Sequence, residues 1–441
     1  MKKSLFAVAA LSAIAGAAQA QSSVTVYGIL DVGYVGSNQT AVAAQVAGVN
    51  NSTQNAVKKT TISQFGQNAE QTSRLGFKGN EDLGGGTSAF FTVELGLTPQ
   101  NPSLSGGTAS TATSASIATN TTGINADASG TAIDNRQSFV GLKKNGIGQA
   151  AFGRQYTPVF MLGAVTDPGA NNNMAGNLTY VNAGGDANAG FGNTVAYTNR
   201  ASNAMTIASD KFAGFGVNGM YAMNNQNVTS QGTATGGVTG GNTNWGGWGI
   251  GGDFTWQKLY IGAAYQSFKY VLSNPNALTA VDVNFGAVTS TYSVNPTANS
   301  ATNLSDKQTL VGATYDFGIL KAYAQWVGRK VNQGNTISTT LPAGVQFNRN
   351  AQQIGVRSYI TPAIEGWASV GNGKYRGADT ATGAATTVNM TGYQLGANYY
   401  LSKRTNLYAI YGSNQSSGAS AGVAGSGSSL NSYALGMRHT F

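Results

Sequence analysis

The sequence predicts an all-β fold, a transmembrane antiparallel β-barrel of about sixteen strands with short turns at one rim and long loops at the other. Many segments alternate apolar and polar residues with a period of two, as strands with two different faces do. Charged residues make up only 9% of the chain and glycines number 61, whereas soluble domains contain roughly 25% charged residues. After the first twenty residues, no apolar stretch approaches the roughly 18 residues that a membrane-spanning helix needs.

The first twenty residues have the pattern of an export signal. Lys2 and Lys3 form a positive start, residues 5–17 are mostly apolar, and residues 18–20 end in small side chains, as signal peptides do. The apolar run is shorter than a membrane anchor requires. We therefore expect cleavage after Ala20, which divides the chain into a signal peptide, 1–20, and an outer-membrane barrel domain, 21–441.

The composition excludes several kinds of chemistry. The chain has no cysteine, so disulfides and cysteine-metal sites are ruled out. Without Lys2 and Lys3, 23 basic and 16 acidic side chains remain, a net charge of +7 at pH 7. No basic block of the kind that binds nucleic acid is present. The positive excess therefore indicates a pore or a membrane surface, and we expect no nucleic-acid partner.

Sixteen segments show the alternation, and an even number is typical of closed bacterial barrels. They begin with Val24–Val35 and end with Ser432–Phe441. The alternation is clearest in the last segment, where one face carries Tyr433, Leu435, Met437, His439 and Phe441. Closure is required because an unpaired backbone amide in hydrocarbon costs several kcal/mol, and a barrel of this size leaves room for an aqueous channel.

Short turns alternate with long polar links along the chain, which is the asymmetry of an outer-membrane barrel. The predicted turns are at 82–85, 144–146, 257–258, 316–318, 361–363 and 402–405. The predicted links are 37–71, 98–134, 157–191, 225–244, 271–306, 332–348, 377–388 and 415–430.

Aromatic residues near strand ends favour the barrel over a secreted β-sandwich or solenoid, which alternation alone leaves open. Such residues form girdles at the two membrane interfaces of a barrel. The candidates are Tyr399, Tyr400, Tyr408, Tyr411, Trp326 and Trp367.

Five segments resemble the general porins of β-proteobacteria, within the Gram-negative porin family. They are SVTVYGILD at 23–31, TSRLGFKGNEDLG at 72–84, NRQSFVGL at 135–142, FGRQYTP at 152–158 and LGMRHTF at 435–441. The resemblance implies a homotrimer in the bacterial outer membrane, with a third long loop folded into each pore. It also implies contact with outer-membrane lipid and lipopolysaccharide, with periplasmic chaperones and with the barrel-assembly machinery, which would read Phe441 as an assembly signal.

Basic residues on three strands are candidates for the pore wall. Arg74 and Lys78 share a face opposite Leu75 and Phe77, so they line the lumen if the apolar pair meets lipid. The resemblance places Arg74 and Arg136 in a basic cluster at the pore constriction, although both could instead pair with acids for stability. Arg154 lies an even number of residues from Ala150 and Phe152, which puts it on the same apolar face of its strand. Either a bulge therefore turns its side chain to the other face, or the residue lies beyond the membrane.

The strength of this basic cluster is left open by one departure from the family. Many relatives have a further arginine before the sixth strand, but residues 187–193 contain none, and Arg200 lies beyond that strand. On the acidic side of the constriction we expect Asp167, within the inward loop, together with Glu94, which shares a face with Thr92. The alternative for Asp167 is a turn or cap residue before Pro168.

No enzymatic site is expected. Residues 146–151 match a dinucleotide fingerprint, but no amphipathic helix follows them. The single histidine, His439, lies on an apolar face and cannot serve a serine nucleophile or a lumen metal. We therefore predict passive diffusion of small hydrophilic solutes and ions with a weak anion preference, without a cofactor. A substrate-specific channel, a surface adhesin or receptor barrel, and thirdly an outer-membrane hydrolase are the alternatives.

Deletion of Phe441 is predicted to cause accumulation in the periplasm, because the resemblance assigns assembly recognition to the terminal aromatic residue. Fractionation of cells followed by immunoblotting measures this. The variant Phe441→Tyr, which keeps an aromatic ring at the terminus, serves as the control. Unchanged surface abundance of the deletion variant would show that the assembly role is wrong.

Overall fold

A computed structural model of the 441-residue chain describes residues 23–43, 56–100, 104, 134–179, 199–230, 239–273, 281–283, 292–294, 301–335, 344–379, 385–420 and 423–441. The predicted signal peptide, 1–20, lies outside these residues. Within them, no helix is both long enough and apolar enough to span a membrane.

The described chain forms nineteen strands and one helix. In order they are β1 Ser23–Ala43, β2 Ala56–Gln67, β3 Arg74–Gly84, β4 Thr87–Gly96, β5 Asn135–Lys144, β6 Gly148–Tyr156, α1 Pro158–Thr166, β7 Arg200–Ser209, β8 Phe215–Ser230, β9 Thr239–Trp256, β10 Leu259–Ser273, β11 Val281–Val283, β12 Tyr292–Val294, β13 Ala301–Asp316, β14 Lys321–Asn335, β15 Gly344–Thr361, β16 Ile364–Asp379, β17 Ala385–Tyr400, β18 Thr405–Ser420 and β19 Val423–Thr440.

The main sheet closes on itself through β1, which pairs with β19 on one edge. On its other edge, residues 32–43 pair with β2 and residues 23–29 pair with β3. Because β2 and β3 occupy one position in two pieces, the seventeen strands of this sheet fill sixteen positions. All of the pairs are antiparallel, and β11 and β12 form a separate hairpin. The predicted sixteen-stranded barrel is confirmed.

All six predicted turns join neighbouring strands, and a seventh at 210–214 joins β7 to β8. Most of the predicted links are too long, however, whereas the link at 98–134 agrees with the ends of β4 and β5 and the link at 157–191 ends before β7 begins at Arg200. Where a loop was expected at 225–244, β8 continues to Ser230 and β9 begins at Thr239, and only two residues separate β18 from β19. Beyond the hydrocarbon both faces of a strand meet water, so polar residues continue the ladder without apolar alternation.

The two faces of the barrel differ as the alternation predicts. On β17, Tyr393, Leu395 and Tyr399 are exposed on the outer face, whereas Gln394 and Asn398 are buried on the inner face. Outward exposure of apolar side chains is what a lipid-facing wall requires.

The predicted aromatic girdle is only partly correct. Tyr399, Tyr411 and Trp326 are exposed on the outer face. Trp367 and Tyr408, by contrast, are buried on the inner face, where the Trp367 ring fills the space beside a glycine of β17 and the Tyr408 hydroxyl donates to Asp31. The hydroxyl of Tyr400 also points inward and donates to Glu365. Successive side chains of a strand point to opposite faces. The face of an aromatic residue therefore depends on whether its position in the strand is odd or even, and not on how near it lies to the strand end.

The third long loop folds into the barrel, as predicted. The helix α1 begins with Thr157 as its N-cap, whose hydroxyl accepts a hydrogen bond from the amide of Phe160 at 3.2 Å. Its Val159 and Leu162 belong to an apolar cluster that includes Leu310 on the inner wall. The helix therefore packs against the inner wall of the barrel at β13.

Buried glutamines of the wall hold α1 and the segment that follows it. Gln325 Nε2 donates to the carbonyl of Gly163 at 2.7 Å, and Gln394 Nε2 donates to the carbonyl of Ala175 at 2.7 Å. Gly163 belongs to α1, whereas Ala175 lies in the non-helical segment beyond it. The glutamines therefore satisfy backbone carbonyls in both parts of the inner loop.

The loop approaches β18 closely because Gly412 has no side chain. A Cβ atom at this position would lie 1.8 Å from the carbonyl oxygen of Ala175, which is far inside van der Waals contact. The glycine is therefore a requirement of the loop position.

The variant Gly412→Ala is predicted to displace the inner loop and to destabilise the barrel by about 1–3 kcal/mol, the usual cost of overpacking. The temperature at which the folded band disappears on SDS gels should fall, and single-channel conductance should change. Gly252→Ala is the matched control, because a Cβ there would meet only a carbonyl oxygen at 3.7 Å. Equal behaviour of the two variants would contradict the close contact.

Candidate functional site

A bulge aims Arg136 into the lumen. In the pairing of β4 with β5, Glu94 lies opposite Gln137 and the next residue, Leu95, lies opposite Asn135, so Arg136 is an extra residue. A bulge of this kind redirects the side chain from its expected face. As a result Arg136 is buried on the inner wall, and its Nε donates to Glu94 Oε1 at 2.8 Å.

The carboxylate of Glu94 lies at the centre of a polar cluster on the inner wall. Arg74 at the start of β3 places Nη1 3.8 Å from Glu94 Oε1. The hydroxyl of Tyr27 donates to Glu94 Oε2 at 3.1 Å, and Arg136 Nη2 donates to the hydroxyl of Tyr156 at 2.9 Å. Glu94 points inward, as expected, but it pairs with the arginines instead of lying apart from them on an acidic side.

Arg200 belongs to this cluster. The sequence had left open whether Arg200 takes the place of the further arginine of the family. It begins β7 directly opposite Tyr156 of β6 and lines the same cavity as Arg74 and Arg136. Its Nη1 is buried without a hydrogen-bond partner among the described residues. A buried guanidinium N–H without an acceptor is costly, so the positive charge of Arg200 is not compensated within the described residues.

A cavity of about 240 Å³ separates the three arginines from the inner loop. On the loop side it is lined by Ala164, Ala170, Asn171 and Asn173, which carry no charge. Arg74 and Arg136 share one carboxylate. Among the residues that the structure describes, the cavity wall is therefore cationic on the side of the arginines and neutral on the side of the loop.

Asp167 does not face the arginines. It is buried, with Oδ1 accepting from Gln353 Nε2 at 2.7 Å and Oδ2 accepting from the amide of Asn171 at 2.8 Å. Burial raises the pKa of this carboxyl, and the two hydrogen bonds oppose that rise. The structure gives Asp167 the turn role, and its predicted place on an acidic side of the constriction does not match this geometry.

The sequence matches the Gram-negative porin family over residues 7–419. The chain belongs to the Gram-negative porin family. It is 29% identical over 433 residues to an outer membrane porin protein of Bordetella pertussis, with 94% of each chain covered. It is 43% identical over 94 residues to the outer membrane porin protein 32 of Delftia acidovorans, which is 21% of this chain and 22% of that one.

Solved structures share the fold of this porin. An anion-selective porin from Comamonas acidovorans superposes with a TM-score of 0.57 at 19% identity, covering 96% of this chain and all of the other. The loop L8 deletion mutant of OmpT from Vibrio cholerae gives a TM-score of 0.51 at 14% identity, covering 95% and 99%. The porin is thus a passive channel of the outer membrane.

Two other basic residues of the porin lie outside the cavity. Lys78 is exposed and lies four residues closer to the turn rim than Arg74 does. Its Nζ is 5.5 Å from the centre of the Tyr27 ring. Arg154 lies beside a register shift between β6 and β7, in which β7 carries the extra residue. Its Nε donates to the carbonyl of Asn135 at 2.8 Å and its Nη1 to Ser202 Oγ at 2.7 Å. The pore role of both remains a prediction.

Phe441 lies at the seam of the porin barrel. Its amide donates to the carbonyl of Gly28 at 3.1 Å, and the amide of Gly28 donates to the Phe441 carbonyl at 3.0 Å. The ring occupies the space that a side chain at Gly28 would need. The terminal residue therefore completes the first and last strands, and its assembly role remains a prediction.

The other motifs that the sequence suggested are a turn and an exposed histidine. The sequence 146–151 forms a turn into β6, as expected. His439 Nδ1 lies 2.8 Å from Thr405 Oγ1 on the exposed outer face. Among the residues that the structure describes, no three His, Cys, Asp or Glu side chains come together as a metal site would require.

The variant Glu94→Gln is predicted to increase anion preference, since it removes the negative charge between Arg74 and Arg136 while leaving a carbonyl oxygen that accepts the same bond. The reversal potential of single channels in a KCl gradient measures this. The control is Glu81→Gln, an exposed acid next to a turn. A shift of the Glu94 variant toward cations, or none, would contradict the assigned geometry.

Proposed function

We propose that this porin is a water-filled diffusion channel with a weak preference for small anions, set where the inner loop faces the arginines. The observation that supports this most directly is the cationic wall of the 240 Å³ cavity, which Arg74, Arg136 and Arg200 line. The anion selectivity named for the Comamonas acidovorans porin of the same fold agrees with it.

The arginines would act by replacing water around a passing anion. A guanidinium group offers several N–H donors in a fixed plane, and a solute crosses a narrow pore when binding is strong enough to enter but weak enough to leave. Arg136 is held by Glu94 and Tyr156, so part of its charge is already neutralised. Charges more than about 8 Å from the passage are largely screened at physiological salt. The preference is therefore modest.

The further features that we propose follow from the family resemblance and from the closed sheet. The mature barrel, 21–441, begins after cleavage at Ala20 and assembles as a homotrimer within outer-membrane lipid. Chaperones and the barrel-assembly machinery deliver it through Phe441. It catalyses no reaction and needs no cofactor, because transport here depends only on diffusion and electrostatic selection.

Replacing Arg200 by Gln is predicted to move the reversal potential toward cations, and the double variant Arg74→Gln/Arg136→Gln is predicted to move it further. Both shifts should grow at low salt, where screening is weaker. Planar-bilayer recordings in a KCl gradient measure them. The control Lys307→Gln/Lys330→Gln removes two charges from the exposed outer face and should leave the potential unchanged.

Several outcomes would contradict this function. An unchanged reversal potential for all arginine variants at low salt would remove these residues from the passage. Conductance near zero for the unmodified porin would favour a plugged receptor or adhesin barrel. Saturable block by one solute would favour a substrate-specific channel.

A further inference from the structure

A short segment between β2 and β3 leaves the barrel wall and enters the lumen. The strand β1 changes partner from β2 to β3 between Val32 and Ile29. The six residues 68–73 therefore stand opposite only two residues of β1, Leu30 and Asp31, and cannot all remain in the sheet. The segment 68–73 is called the clasp below.

The clasp contacts the tip of the inner loop. Asn173 Nδ2 donates to the carbonyl of Asn68 at 2.6 Å and to Thr72 Oγ1 at 3.3 Å. The amide of Asn173 also donates to the carbonyl of Ala69 at 3.1 Å. Gln71 and Thr72 line the same cavity as Asn173 and the three arginines. The clasp therefore joins the loop to the side of the passage on which the arginines lie.

The carboxylate of Asp31 holds the clasp in place. Its side chain is buried, and its Oδ2 accepts from the amides of Glu70 at 2.9 Å and Gln71 at 2.6 Å. Its Oδ1 accepts from the hydroxyl of Tyr408 at 2.5 Å. Backbone amides that leave a sheet lose their partners in the ladder and need other acceptors. The carboxylate of Asp31 therefore takes the place of the missing strand partner.

We propose that Asp31 is a positioning residue of the pore: through the clasp it fixes the tip of the inner loop and so sets the width of the passage beside the arginines. Asp31 does not itself line the cavity, and its effect is transmitted through the contact of the clasp with Asn173. Loss of this contact lets the passage widen. Charges more than about 8 Å from a passing ion are largely screened at physiological salt, so widening weakens selection.

The first test records single channels of the full mature porin and of its variant Asp31→Ala in planar bilayers. The fraction of time spent away from the main current level should rise by about tenfold, since the clasp amides lose their acceptor. The reversal potential in a KCl gradient should move toward zero. Removal of a negative charge by itself would move it the other way, toward stronger anion preference, so the sign separates the two causes.

Two further variants locate the effect in the clasp. Asn173→Ala breaks the contact from the side of the loop and should reproduce the unsteady current. The double variant Asp31→Ala/Asn173→Ala should be no more unsteady than the single ones, because effects on one shared contact do not add. Asp31→Asn should stay close to the unmodified porin, since its oxygen still accepts from both amides and its NH₂ group can donate to the Tyr408 hydroxyl.

The matched control is Asp306→Ala. Like Asp31, Asp306 is a buried acid of the inner wall. Its carboxylate accepts from Arg329 Nε at 3.0 Å and Nη2 at 2.7 Å, on the neighbouring strand and away from the clasp. Its loss should lower the temperature at which the folded band disappears on SDS gels, while the current remains steady. The control thus separates a weakened wall from a released loop.

Three results would overturn the proposal: a steady current in Asp31→Ala, additive effects of Asp31→Ala and Asn173→Ala, or an equally unsteady current in Asp306→Ala. If Asp31→Ala fails to fold, as judged by its heat-modifiable band on SDS gels, Asn173→Ala alone must show the unsteady current. The shift of the reversal potential rests on the proposed function. An unmodified porin without anion preference would contradict that function and leave the current test in force, because the steadiness of the current does not depend on which ion carries it.

Discussion

The structure depends on one constraint: every backbone amide that meets hydrocarbon must be paired within the protein. The closure between β1 and β19 meets it without leaving a free edge, and the reciprocal bonds of Gly28 with Phe441 extend this seam to the last residue. A closed sheet of sixteen positions necessarily encloses a lumen. Because the outer face must be apolar, alternation makes the inner face polar, and that polar surface is where selection can occur.

The inner loop converts a wide lumen into a defined passage. It cannot be held by an apolar core alone, so α1 packs on a small cluster around Leu162 and Leu310, and glutamines such as Gln353 and Gln394 satisfy the backbone beyond it. The described part of the loop presents neutral side chains to the cavity, whereas the opposite wall presents arginines. Electrostatic asymmetry across the cavity thus follows from where the loop is anchored.

Much of the fold could be predicted from the sequence, since period-two alternation identifies strands and their two faces. Parity also places Arg74 on the lumen side. It fails for Arg136, which reaches the cluster only through a bulge, and for Arg200, whose register follows a long link. Parity gives a face but no position around the circumference, which is why the sequence alone puts Glu94 on the side opposite the arginines that it contacts.

The central claim is that the cationic wall lies on the path of permeating ions. Because the chain has no cysteine, Arg200→Cys provides a single reactive site for a thiol reagent that carries a sulfonate group. Added during a single-channel recording, the reagent is predicted to lower the conductance and to move the reversal potential toward cations, since it puts a negative charge where a positive one stood. A labelled channel whose reversal potential remains unchanged would show that permeating ions do not pass this wall.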